Sequence, residues 1–278
     1  MCGVCGCGTD GVAINKPNKN KNLNVHNHGH HEHHHDHDHH HHDHSHSHDY
    51  GHHHHGKTVI DLEKDILSQN NIDAARNRGY FDAKNIFTLN LVSSPGSGKT
   101  SILETTLKDL KANIGFYVIE GDQQTLNDAD RIDALNVPVI QVNTGKGCHL
   151  ESDMIYDAVK QLKPKDNSVL MIENVGNLVC PSMFDLGEQK RVVIISITEG
   201  EDKPIKYPDM FHSADICIIN KIDLLPHLNF DLDKLKNYAL QVNHHLQFFE
   251  VSATTGQGMT DWYNWLQEEL EKNQQKNA

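Results

Sequence analysis

FTLNLVSSPGSGKTSI, residues 87–102, decides the fold: a run of apolar β-formers passes straight into a glycine-rich turn and then into the first turn of a helix. That order of strand, tight turn and helix N-terminus is the context a P-loop requires. Gly96 and Gly98 let the backbone N–H groups turn toward phosphate oxygens, and the positive end of the helix dipole favours the negative charge. Lys99 is placed to reach the β- and γ-phosphates, and Thr100 to ligate Mg²⁺. Pro95, Gly96, Ser97, Gly98, Lys99, Thr100 and Ser101 are therefore the candidate phosphate contacts. Ser93 stands where the usual first glycine falls, and its small side chain fits there provided its φ stays negative.

Outward from this turn, apolar β-rich runs alternate with helical stretches. GFYVIEG (115–121), VPVIQVN (137–143), SVLMIEN (168–174), RVVIISIT (191–198), DICIINK (215–221) and QFFEVSA (247–253) follow one another in this way. Near-continuous Val/Ile/Leu strands separated by helices predict a doubly wound α/β domain, its mainly parallel sheet covered on both faces. Upstream, VIDLEKDILSQNNIDAARNRG reads as an amphipathic helix ending at Gly79.

The base is read by NKID (220–223). Asp223 can accept two hydrogen bonds from guanine, whereas adenine offers it a lone pair, and a site built that way rejects the wrong base by orders of magnitude. Asn220 and Lys221 tie the loop down and cover the base. Ser252 and Ala253, in VSATTG, stand where a second guanine-supporting loop is expected. The nucleotide is GTP. Asp122, after VIEG, and Glu173, ending LMIE, are the acids expected to hold Mg²⁺ and its waters, because parallel strands deliver their C-terminal ends to one edge. No side chain stands out as an arginine finger, so hydrolysis should be slow.

A second cluster is softer. Cys148 and His149 lie in TGKGCH after the third strand, and Cys180 in GNLVCP after the fourth, so both loops project from the phosphate edge. Thiolate and imidazole suit Ni²⁺ or Zn²⁺ better than Mg²⁺. Two thiols and one imidazole leave the site short of ligands, to be closed by water or by a second subunit. A buried cysteine is otherwise a small core residue, which is the reading for Cys217 inside DICII.

Composition changes near residue 57. Of the chain's 24 histidines, 19 fall between His26 and His55, in a segment nearly free of large apolar side chains. Residues 1–56 cannot bury enough surface to offset their ordering entropy and are expected to be disordered. An expression tag is the alternative for the histidines, but this run is internal and is interrupted by Asp36, Asp38, Asp43, Ser45 and Ser47. MCGVCGCG opens the chain with Cys2, Cys5 and Cys7. The formal net charge of -13 opposes a nucleic-acid surface. No apolar run approaches the roughly 20 residues needed to span a bilayer. The start lacks the basic and apolar regions of a secretory signal, so the expected compartment is the cytoplasm and the cysteines are expected reduced.

Taken together, SSPGSGKT, EGDQQTLNDADRI (120–132), NTGKGCHLE (143–151), ENVGNLVCPSMFDLGE (173–188), TEGEDKPIKYPDMF (198–211) and NKIDLLP (220–226) resemble the hydrogenase nickel-incorporation GTPases of the HypB family. The likeness covers essentially residues 58–270. It implies GTP hydrolysis in residues 57–278, GTP-promoted homodimerisation and delivery of nickel to the large-subunit precursor of [NiFe]-hydrogenase, with a HypA-type nickel protein as partner. The family's GTPase-domain metal site matches Cys148, His149 and Cys180. Its N-terminal CxxCxC nickel site matches Cys2, Cys5 and Cys7, and its histidine-rich stretch implies a nickel store. Square-planar N/S coordination favours Ni²⁺ and a tetrahedron Zn²⁺; the internal site is open to either. A related GTPase serving urease is the competing resemblance, but the metal motif here is Gly-Cys-His rather than Cys-Pro-His.

Overall fold

A computed structural model describes residues 13–16, 59–122, 127–145 and 147–276 of the chain. In chain order the elements are β1 (Ala13–Asn15), α1 (Val59–Ala83), β2 (Phe87–Ser93), α2 (Lys99–Leu110), β3 (Phe116–Asp122), α3 (Asn127–Asp133), β4 (Val139–Asn143), α4 (Ser152–Leu162) and β5 (Val169–Gly176). There follow β6 (Lys190–Ser196), α5 (Lys203–Lys206), α6 (Pro208–Ser213), β7 (Ile216–Asn220), α7 (Leu232–Val242), β8 (Gln247–Glu250) and α8 (Met259–Lys276). Short 3-10 turns sit at Cys180–Ser182 and Ile222–His227.

Among the described residues the sheet runs β1-β4-β3-β5-β2-β6-β7-β8, and all pairs are parallel except β1 with β4. The strand that feeds the glycine-rich turn is central and buried along its whole length. Alternation sorts the side chains into two layers. Phe116, Val118, Val169 and Met171 pack with Ile102, Leu103 and Leu107 of α2 and Trp262 of α8. Tyr117, Ile119, Leu170 and Ile172 pack with Phe81 of α1 and Ile155 and Ala158 of α4. Helices cover both faces, as the continuous apolar runs predict.

Two expectations are corrected. The first helix does not stop at Gly79 but continues to Ala83. A glycine inside a helix costs about 1 kcal/mol, whereas full burial of Phe81, two residues on, returns about 2–3 kcal/mol; packing overrides the local preference. Within the segment read as a disordered tail, Ala13–Asn15 forms a strand on the edge, with Ile14 opposite Val142 and packed against the α1/α4 layer. Cys2, Cys5, Cys7 and the histidine run lie outside the described residues. Among the described residues no helix is long and apolar enough to cross a membrane.

Candidate nucleotide and metal site

The P-loop is held open by its neighbours. Gly98 caps α2 in the left-handed region at φ 93°, and a Cβ there would come within 2.3 Å of Asn220 Nδ2. Only glycine satisfies both demands. The close approach exists because Asn220 Nδ2 donates to Ser97 O at 2.9 Å while Asn220 Oδ1 accepts from Ala253 N at 3.2 Å. Lys221 Nζ donates to Gly96 O at 2.7 Å. NKID thus straps the phosphate turn to the loop of Ser252 and Ala253. Ser252 is fully buried and its Oγ accepts from Thr255 N. Among the described residues no donor engages the half-buried Asp223 carboxylate, and Pro95 and Gly96 face solvent.

Beneath the turn lies an acidic floor. Lys99 Nζ sits 2.7 Å from Glu173 Oε1, and Thr100 Oγ1 donates to the same oxygen at 2.6 Å. The other oxygen, Glu173 Oε2, is buried without a partner, as are Glu120 Oε2 and Ser97 Oγ. Orphaned buried polar atoms cost about 1–3 kcal/mol each, so three of them in the turn and on the two strands beneath it fit a site completed by a ligand. A carboxylate pair beside a threonine hydroxyl is an all-oxygen set suited to Mg²⁺. Glu120 is opposite Glu173 in the β3/β5 register. Burial, and then the neighbouring Glu173, raise its carboxyl to about 9 against the attraction of Lys99. Asp122 is half-buried at the end of β3.

The softer cluster forms as a unit. One donor atom each from Cys148, His149 and Cys180 lies within 4.8 Å of the others. The Cys148 and Cys180 sulfurs are 2.7 Å apart, and Cys148 Sγ is 3.6 Å from His149 Nδ1. The His149 ring stacks on Phe184 at 3.9 Å, and its Nε2 sits 3.4 Å from Glu151 Oε1, outside hydrogen-bonding geometry. Two sulfurs and one nitrogen converging from separate loops fit a soft divalent ion. Cys217, by contrast, is fully buried in β7, and desolvation drives its thiol upward, as for a core residue.

Three contributors escape the motif reading. Glu120 precedes Asp122 by two residues and so shares its face of the strand; that alternation was the available signal. Glu199 accepts from Ser196 N at 2.9 Å and from Ser94 Oγ, bracing the start of the P-loop. Asn174 bonds Leu150 N across the sheet, and nothing in the sequence announces that contact.

Comparison with known proteins identifies the family. Residues 87–250 match the family model described as CobW/HypB/UreG, nucleotide-binding domain. A hydrogenase maturation factor HypB of Rhizobium leguminosarum bv. viciae is 58% identical over 209 residues, 75% of this chain and 70% of that one. That of Escherichia coli is 55% identical over 211 residues, 76% and 73% of the two chains. A crystal structure of HypB from Helicobacter pylori in complex with nickel superposes with a TM-score of 0.69 at 40% identity, covering 74% of this chain and 96% of that one.

Proposed function

This chain belongs to the HypB hydrogenase maturation factors of the CobW/HypB/UreG nucleotide-binding family, and on that premise we propose that it hydrolyses GTP to control the hold and release of nickel destined for the [NiFe]-hydrogenase large subunit. Lys99 and the backbone N–H groups of residues 95–101 bind the phosphates, and Thr100, Asp122 and Glu173 hold Mg²⁺ and its waters. Mg²⁺ held by these three residues would offset the negative charge that develops as water attacks the γ-phosphorus and GDP leaves. Asp223 reads guanine, with Asn220, Lys221, Ser252 and Ala253 fixing the loops around the base. Cys148, His149 and Cys180 hold Ni²⁺, with Zn²⁺ as the competing occupant.

One observation carries this reading. The chain from Glu173, bonded to Lys99 and Thr100, reaches Cys180 within seven residues. This short segment is the route by which a move at the phosphate end would reach a metal ligand. Val179 and Met183, 50% and 54% exposed beside Cys180, supply an apolar rim on which a second copy can close the three-donor site in a GTP-dependent dimer. Cys2, Cys5 and Cys7 take a further nickel ion, the histidine run stores more, and a HypA-type protein and the hydrogenase precursor are the partners, in the cytoplasm.

The test measures phosphate release from GTP and ATP by the full chain, with nickel retention followed in parallel. Hydrolysis confined to GTP, with Cys148→Ala leaving GTP affinity within about threefold but removing the nickel response, supports the reading. Equal use of ATP, or an unchanged nickel response in Cys148→Ala, contradicts it.

A further inference from the structure

We propose that Asn174 is the positioning residue through which the nucleotide site sets the geometry of the metal-ligating loop. The inference rests on the coupling of nucleotide and nickel proposed above and assigns it a physical link. Successive residues of a strand face opposite sides of a sheet. Glu173 therefore points to the P-loop side, where Lys99 and Thr100 hold it. Asn174 points to the other side, where Leu150 follows Cys148 and His149.

Asn174 is 1% exposed and fully engaged. Its Oδ1 accepts from Leu150 N at 3.2 Å and from Val175 N at 2.9 Å, and its Nδ2 donates to Asn90 Oδ1 at 3.3 Å. Asn90 lies on β2, the strand that runs into the P-loop, and its own Nδ2 donates to Glu188 Oε1 at 3.0 Å. One side chain thus joins the strand that feeds the phosphate turn, the strand that carries Glu173, and the loop that carries two metal ligands.

The neighbouring strand repeats the arrangement. Glu120 faces the nucleotide side opposite Glu173, and Gly121, next along, faces Leu150. A Cβ on Gly121 would sit 2.8 Å from Leu150 Cγ and Cδ1. Leu150 is fully buried against this wall, so the residue that directly follows His149 has no slack relative to the strand ends. A packed contact without slack transmits a small displacement instead of absorbing it. When Glu173 leaves Lys99 and Thr100 to face a cation, the backbone at residues 173–174 moves, and the Asn174 hydrogen bond carries Leu150 with it.

A residue that only stabilises the loop alters nickel affinity equally in every nucleotide state. A coupling residue alters the ratio between states, and that ratio is the readout. The experiment uses the full chain with Cys2, Cys5 and Cys7 changed to serine, so that thiolate-to-nickel charge-transfer absorption reports Cys148 and Cys180. Ni²⁺ is titrated with GDP and with a non-hydrolysable GTP analogue, each with Mg²⁺, and circular dichroism checks the fold. The parent is expected to show at least about a fivefold ratio of nickel affinities. Asn174→Ala is expected to bring that ratio below about twofold, with nucleotide affinity in the absence of nickel unchanged within about threefold. Gly121→Ala, which displaces Leu150 from the other strand, is expected to do the same and decides the matter if Asn174→Ala does not fold. A parent-like ratio in a folded variant, or equal weakening in both states, overturns the role of Asn174 and leaves the coupling intact. A ratio near one in the parent overturns the coupling itself, and the inference falls with it.

Discussion

Replacing Glu120 with glutamine should stabilise the nucleotide-free protein, and more so as the pH rises. The carboxyl is 2% exposed, and burial beside Glu173 lifts it from 4.5 to about 9. Below pH 4.5 both the folded and unfolded chains carry the proton. Between pH 4.5 and 9 the unfolded chain ionises while the folded one retains its proton, so stability is lost progressively across that window. Each pH unit inside it is worth about 1.4 kcal/mol. From pH 5 to pH 8 the parent should therefore lose up to about 4 kcal/mol at this site, or about half that if water enters the pocket. Glutamine has the same shape and no proton to lose. Urea unfolding of the Mg²⁺-free, nucleotide-free chain at pH 5 and pH 8 measures the difference. Near equality at pH 5, with Glu120→Gln ahead by about 2–4 kcal/mol at pH 8, is expected. The gap should narrow with Mg²⁺ and nucleotide added, because a cation held by the neighbouring Glu173 favours an ionised Glu120. Parallel pH profiles for parent and variant would show that Glu120 is not held protonated, and the acidic floor would then need another description.

Three other substitutions test separate parts of the site. Gly98→Ala forces a side chain into left-handed backbone, at about 1–2 kcal/mol, and drives Asn220 off Ser97 O; calorimetry should show at least a tenfold loss of nucleotide affinity, and a loss below twofold would refute the close packing. Asp223→Asn should shift preference toward xanthine nucleotides, measured by competition against GTP; retained GTP preference would place base reading elsewhere. Arg191→Ala leaves Glu188 buried without the guanidinium that meets it at 2.9 Å. That should destabilise the fold by about 3–5 kcal/mol in denaturant, while guanine preference stays unchanged in protein that remains folded.

Local signals carried most of the architecture. The P-loop announces itself because strand, turn and helix are contiguous, and the parallel strands do so because burial on both faces leaves unbroken apolar runs. Cys148, His149 and Cys180 were legible because both loops follow strands whose ends share an edge, and their donor atoms do converge. What local pattern does not encode is contact across the sheet. Glu120 looked like one more strand residue until its register opposite Glu173 was known, and the reach of Asn174 to Leu150 depends on how α4 and its loop settle on the sheet. Gly79 misled for the same reason, since the burial of Phe81 that prolongs α1 is tertiary. Three residues such as Ala13–Asn15 are too few to carry a readable period; their strand exists because the edge of β4 accepts them.

Nickel affinity at Cys148, His149 and Cys180, measured in the GDP form and in the form bound to a non-hydrolysable GTP analogue, is the most direct test of the central claim that one strand end serves both sites. The account predicts affinities at least about fivefold apart, with the reciprocal change in nucleotide affinity when nickel is present. Identical affinities in the two forms would contradict it.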